Sequence, residues 1–249
     1  GREPPTGTDS TAEAETRPSE AAASGQFSWS IGAGLVASPR PYVGTKAKLF
    51  PIASLGIRYK RWFLQGIRGG FSVVQSGPLT ANLVAQVRFQ GLEPEDSPFL
   101  EGMTTRRRSL DGGFELVYRG RPVGFRIHAL SDLLGRSNGQ EVSMLATTGA
   151  PLGDSLLVLF GVGPRWMSKG RVDYYYGVRE EEARLGRPAY TAPSTWNLDL
   201  NLTALFKPAK KWTLFAMLNR VAMGSGIEDS PLVDRSEAYT FVTSLSYNF

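Results

Sequence analysis

The chain has 249 residues, 41% of them hydrophobic, with a formal net charge of +5, a single histidine and no cysteine. The missing cysteines exclude disulfides, thiolate metal centres and a cysteine nucleophile; no window reaches the roughly 18 consecutive apolar residues of a spanning helix, so a membrane can be crossed only by a closed barrel. The basic balance would suit nucleic acid, but Lys and Arg are scattered over strand-like segments and turns rather than gathered in one stripe, and anionic lipopolysaccharide or murein is an equally good electrostatic partner.

Residues Gly1 to Gly25 are rich in Pro, Thr, Ser, Glu and Ala and carry no aromatic. Such a segment cannot bury enough surface to offset its ordering entropy, so residues 1–25 are expected to be a disordered periplasmic tail and 26–249 the folded domain. No charged n-region and apolar h-region precede it, so a signal peptide is expected to have been removed already.

From Gln26 the apolar period changes to two. Phe27, Trp29, Ile31, Ala33 and Leu35 share one face against Ser28, Ser30, Gly32 and Gly34. The split recurs at Ala53 to Tyr59, where Arg58 and Lys60 are on the polar face, and at Leu79 to Phe89 with Arg88 on that face. It continues with Leu110 to Tyr118 against Asp111 and Glu115, and with Val123 to Ala129 against Arg126 and His128. Further strands are expected at Gln140 to Gly149, Ser155 to Met167, Thr195 to Phe206, Lys211 to Val221 and Glu237 to Phe249. Leu156 to Phe160 and Thr213 to Val221 are apolar on both faces, which leaves their orientation open. Most segments run to ten residues or more, nearer the 9 to 11 of a tilted membrane strand than the five or six of a sandwich strand. Trp29, Trp62, Trp166, Trp196, Trp212, Tyr118 and Tyr239 near strand ends fit headgroup girdles, with ordinary sheet packing as the alternative.

Short connections (Arg119 to Pro122, Gly149 to Asp154, Lys207 to Lys211) alternate with long ones (Gly91 to Ser109, Ser168 to Ser194, Met223 to Ser236). Transmembrane barrels place the two kinds at opposite ends. The fold class is therefore all-β, a closed antiparallel transmembrane barrel. Counting gives eleven strands; a short extra pair within Trp62 to Val74, broken at Gly69-Gly70, makes twelve, and merging one weak hairpin makes ten. The final strand presents Leu245, Tyr247 and Phe249 on one face, the pattern expected of a barrel insertion signal for the assembly machinery of a Gram-negative outer membrane.

Several local sequences in order resemble the MipA/OmpV family of outer-membrane proteins, named for an MltA-interacting protein. They are Gly34 to Phe50 with Pro41-Tyr42-Val43-Gly44, then Tyr59-Lys60-Arg61-Trp62-Phe63, Phe99-Leu100-Glu101-Gly102-Met103, Tyr175-Tyr176-Gly177-Val178 and Ser246-Tyr247-Asn248-Phe249. The resemblance implies an outer-membrane barrel without catalytic activity, a scaffold for peptidoglycan synthesis and turnover enzymes with a lytic transglycosylase and a murein synthase as partners. A porin-like small-solute channel is the alternative.

The polar faces suggest where such a barrel works. Arg58, Arg88, Asp111, Glu115, Arg126, His128, Arg165 and Asp199 are expected to face the lumen, where they either pair and plug it or line a narrow path; the small strand number favours a plug. Ser131 falls on the opposite face from His128, so no catalytic pair is expected. Glu93, Glu95 and Asp96 read as solvated, and neither metal nor cofactor is expected. Arg106, Arg107 and Arg108 begin a strand after a long loop and are candidates for a lipopolysaccharide contact, with a solvated gatekeeper run as an equal alternative. Tyr174-Tyr175-Tyr176 either closes the mouth, presents a partner surface or simply packs its loop.

Overall fold

In the computed structural model, which describes residues 27–38 and 41–249, twelve antiparallel strands close into one barrel. They are β1 (Ser28–Ser38), β2 (Lys48–Tyr59), β3 (Trp62–Gln65), β4 (Arg68–Ser76), β5 (Leu79–Arg88), β6 (Ser109–Tyr118), β7 (Val123–Asp132), β8 (Gln140–Leu152), β9 (Leu156–Met167), β10 (Thr195–Ala209), β11 (Trp212–Ala222) and β12 (Glu237–Asn248). Each pairs with its sequence neighbours, and β1 pairs with β12 from Ser30↔Asn248 to Ala37↔Phe241, which closes the sheet on itself. The tail expected over 1–25 lies outside the described residues.

Period-two sequence becomes a two-faced wall. Ile31, Leu83, Phe114, Ile127, Leu202, Leu218 and Phe241 are all exposed on the outer surface. In water that surface would aggregate; in hydrocarbon it is the solvated face, and the ladder satisfies the backbone wherever two strands pair. The segments apolar on both faces orient by register. Leu157 and Leu159 pair with Leu205 and Thr203, and Phe215 and Met217 with Ser244 and Val242, so these apolar side chains line the inside.

Connections 60–61, 77–78, 119–122, 153–155 and 210–211 sit at one end with Phe249, and 41–47, 89–108, 133–139, 168–194 and 223–236 at the other. The extra hairpin exists as β3–β4, but the chain reverses at Gly66-Ile67 instead of Gly69-Gly70. Gly66 takes φ +56° in open space, as a tight hairpin turn requires. Gly70 lies within β4, paired with Phe63, where an added Cβ would sit 2.6 Å from Phe63 Cζ; glycine there makes room for an inward ring.

Most of the buried apolar core lies outside the barrel wall. Tyr42, Leu92, Leu100, Val172, Tyr175, Ile227 and Leu232, all in long connections, pack together at the long-loop end.

Candidate functional site: a capped, charge-lined lumen

The long connections build a cap with its own core. The connection 168–194 contributes helix α1 (Lys169–Tyr176), and 223–236 contributes α2 (Ser225–Glu228). The pieces are stitched by hydrogen bonds between connections. Tyr42 Oη donates to Tyr175 O at 3.1 Å, Ser230 Oγ to Tyr176 O at 2.6 Å, and Val43 N–H to Leu232 O at 2.9 Å. Of the three tyrosines in a row, Tyr175 and Tyr176 pack inside the cap, while Tyr174 lies beside Arg106 and its hydroxyl accepts Arg107 N–H at 2.9 Å. Burial pushes the Tyr176 phenol up to about 12, so it stays a neutral donor and acceptor.

A polar lock runs through the cap. Arg106 and Glu182 are both buried and joined by two hydrogen bonds, and Glu182 also accepts Thr104 N–H at 2.8 Å and Arg179 N–H at 3.1 Å. Burial alone would raise this carboxyl, but the Arg106 bonds and the two backbone donors outweigh it and hold it at about 2. Arg187, equally buried, donates to the backbone carbonyls of Phe99, Glu101 and Glu182. Arg106, one of the three arginines expected to contact lipopolysaccharide, is buried, and its two terminal guanidinium nitrogens donate to Glu182 and to the carbonyls of Thr104 and Gly177. Arg107 and Arg108 remain exposed.

Arg171 fastens the cap to the wall. Its fully buried guanidinium donates to Asp111 on β6 at 2.9 and 3.1 Å and to Gly139 O at 3.0 Å. Asp111 also takes Arg88 Nε at 2.7 Å, and Arg88 reaches Glu141 on β8 at 2.8 Å. Two cations and two anions thus neutralise one another at the lumen's upper end. Arg88 and Asp111 were visible in the sequence pattern. Glu141 begins a strand whose inward face was not assigned from sequence, and Arg171 sits on a loop helix without periodicity, so neither could be placed that way.

A second cluster lies nearer the short-turn end. Glu115 accepts from Asn82 Nδ2 at 2.7 Å, pairs with Arg68, lies 2.7 Å from His128 Nε2 and 3.5 Å from Arg126 Nε. The Arg126 side chain is 49% accessible although it points inward, which means the lumen is wet at this level. Arg165 meets Asp199 at 2.6 Å, and Asn219 joins Asp199 at 3.3 Å. Arg58 is opposite Ser28 and forms no ion pair among the described residues. Most partners sit on neighbouring strands, so the charges largely line the wall while the loops close the mouth. Ser143 pairs with His128 across β7–β8, yet no hydrogen bond joins them among the described residues, and Nε2 is taken by Glu115. Nor do the described residues gather three His, Cys, Asp or Glu side chains in one place.

The geometry is thus a barrel covered by a loop-built cap at one end, with a charged interior that is accessible to a water-sized molecule toward the other. A family model described as MltA-interacting protein MipA matches residues 31–249. The MltA-interacting protein of Escherichia coli is 25% identical over 231 residues, covering 91% of this chain and 92% of that one. YiaT of Escherichia coli is 26% identical over 223 residues, covering 88% and 90%. Among solved structures, the COG4313 outer membrane channel of Pseudomonas putida F1 aligns over 94% of this chain and 100% of its own, with a TM-score of 0.43 and 12% identity. A match over nearly the whole barrel identifies this chain as a member of the MipA family of outer-membrane proteins.

Proposed function

We propose that this barrel is a non-catalytic scaffold whose periplasmic rim receives a lytic transglycosylase and a murein synthase. The observation that carries the reading is the charge of the short-turn end. Lys60, Arg61, Arg119, Arg121, Lys207, Lys210 and Lys211 stand in or beside the short turns, against Asp154 as the carboxylate within them. A ring of cations on compact turns is a docking face for an acidic protein surface, and it steers encounter as well as holding it. The name of the Escherichia coli relative supports the identity of one partner. The final strand's Leu245, Tyr247 and Phe249 are proposed as the edge that the assembly machinery engages during insertion.

The test is retention of purified lytic transglycosylase and murein synthase on immobilised barrel. Charge reversal of Lys60, Arg61, Lys210 and Lys211 to Glu should cut retention at least tenfold while the barrel keeps its faster migration before boiling. Retention of neither enzyme by the unaltered barrel would end the scaffold reading.

The wet, inward Arg126 favours a second reading, a small-solute channel in which Arg58, Arg126, His128, Arg165 and Asp199 line the path. Planar bilayers separate the two. A scaffold stays closed, whereas a channel conducts and changes conductance in Arg126→Ala or Asp199→Ala.

A further inference from the structure

The barrel wall is not of even height. The β3–β4 hairpin turns back at Gly66-Ile67, where Gly66 N–H donates to Leu55 O at 2.8 Å and Val87 N–H to Ile67 O at 3.1 Å. β2 runs on past this point to Lys48, paired throughout with β1, but from Ser54 to Lys48 its other edge has no strand beside it among the described residues. That stretch spans about 20 Å along the strand. Backbone groups alternate sides along a strand, and Leu55 O faces the hairpin, so Ala53, Pro51 and Leu49 turn theirs into the gap. A proline inside a long strand is tolerated at an unpaired edge, and Pro51 occupies this one.

Side chains cross the gap. Lys48 Nζ pairs with Asp96 and, at 3.4 Å, with Glu93. Arg108, from the foot of β6, reaches over the end of β5 so that its guanidinium lies 5.6 Å from the Phe89 ring and 6.0 Å from the Phe50 ring on β2. Behind it Phe50 and Ile52 face inward, and Phe63 lies below them under Arg68 at 5.6 Å. Outside, Leu49 is 67% exposed to the membrane.

We propose that this gap is a lateral port at the level of the outer leaflet, occupied by a phosphorylated glycolipid of that leaflet. Arg108, with Arg107 beside it, holds the phosphate, and an acyl chain passes between β2 and β5 onto Phe50, Ile52 and Phe63. The chemistry fits on three counts. Unpaired backbone groups are costly in hydrocarbon, and a sugar headgroup with hydroxyl and amide groups can satisfy the Leu49, Pro51 and Ala53 edge as an acyl chain alone cannot. A guanidinium lying across the opening, with no carboxylate paired to it among the described residues, matches a phosphate. The inner lining is apolar where the tail would enter. The port does not depend on the scaffold reading.

Photocrosslinking in cells tests it, with p-benzoylphenylalanine placed at inward Ile52 and, as a control, at inward Val242 on β12. The expected result is a lipopolysaccharide adduct at Ile52, detected with antibody to lipid A, at least tenfold stronger than at Val242. Arg108→Glu and the milder Arg108→Gln should each lower the adduct at least fivefold while heat-modifiable migration is kept. Three outcomes overturn the port: no adduct at Ile52, equal labelling at both positions, or a protein adduct at Ile52, which would mean that a partner strand covers the edge.

Discussion

Arg106 and Glu182, 76 positions apart in the chain, meet in a two-bond fork inside the cap, Nη1 to Oε1 at 2.9 Å and Nη2 to Oε2 at 2.7 Å. The fork joins the connection before β6 to the one before β10, where Glu182 lies beyond the end of α1. Glu182→Ala leaves a buried guanidinium without its anion, and breaking such a pair costs about 3–5 kcal/mol. The expected consequence is local: trypsin should cut at Arg179 or Arg184 in the intact barrel while the strands stay protected. Unchanged cleavage would show that the apolar core alone holds the cap.

The same carboxylate sets an acid limit on the cap. Glu182 is held at about 2 against an ordinary value of 4.5, so its folded-state pKa is depressed. The stability it contributes is complete above the ordinary value and is lost as pH falls from about 4.5 toward 2. Amide exchange in 168–194 should therefore be flat from pH 8 to 5, once corrected for intrinsic exchange rates, and the cap should open at lower pH. In Glu182→Gln the step should vanish; a step that persists in that variant must come from another group.

Where the cap meets the wall, Arg171 and Arg88 share Asp111. Removing Arg171 leaves Asp111 and Glu141 to a single cation, so Arg171→Ala and Asp111→Asn should each destabilise the cap strongly. Together they should cost less than the sum, with an interaction energy in the range of about 0.5–3 kcal/mol. Thermal unfolding of the four proteins of the cycle, followed by gel mobility and by loop proteolysis, reads this directly. Strict additivity would mean that the two side chains act independently despite their 2.9 Å contact.

The sequence carried the wall well and the cap poorly, for physical reasons. Strand residues obey a period of two because one face meets lipid and the other water, so Leu198 and Leu202 against Asn197 and Asp199 could be assigned without coordinates. Twelve strands were within reach because an outer-membrane barrel takes an even number and a short extra pair within Trp62 to Val74 supplies it, although the turn falls at Gly66-Ile67 and not at Gly69-Gly70. The cap has no period. Its core residues Leu92, Val172, Ile227 and Leu232 come from three separate connections and are brought together by long-range packing alone. Arg106 shows the limit most clearly: in sequence it belongs to an arginine run, and only the fold shows that one of the three faces Glu182. Pro51 was legible in retrospect, since a proline within an alternating segment marks an edge.

At the short-turn end the ring of Phe249 stacks on Trp29 with centroids 3.7 Å apart and planes at 3°, and Tyr247 packs edge-on to Phe249 at 4.8 Å. These contacts sit on the β1–β12 seam, the pairing that turns an open sheet into a barrel. Phe249 N–H also donates to Trp29 O at 3.0 Å, and this bond survives a side-chain substitution, so Phe249→Ala isolates the ring. An aromatic pair adds about 0.5–1.5 kcal/mol beyond its area. Because the seam opens only when the barrel opens, that loss acts on the whole sheet. Phe249→Ala should lower the temperature at which the fast-migrating folded band converts to the slow one, with Phe249→Trp close to the unaltered protein. Trp29→Ala should give a shift similar to Phe249→Ala, and the double variant little more than either. Conversion temperatures that do not move in any of the three would place the closing energy in the strand ladder instead of the aromatic stack.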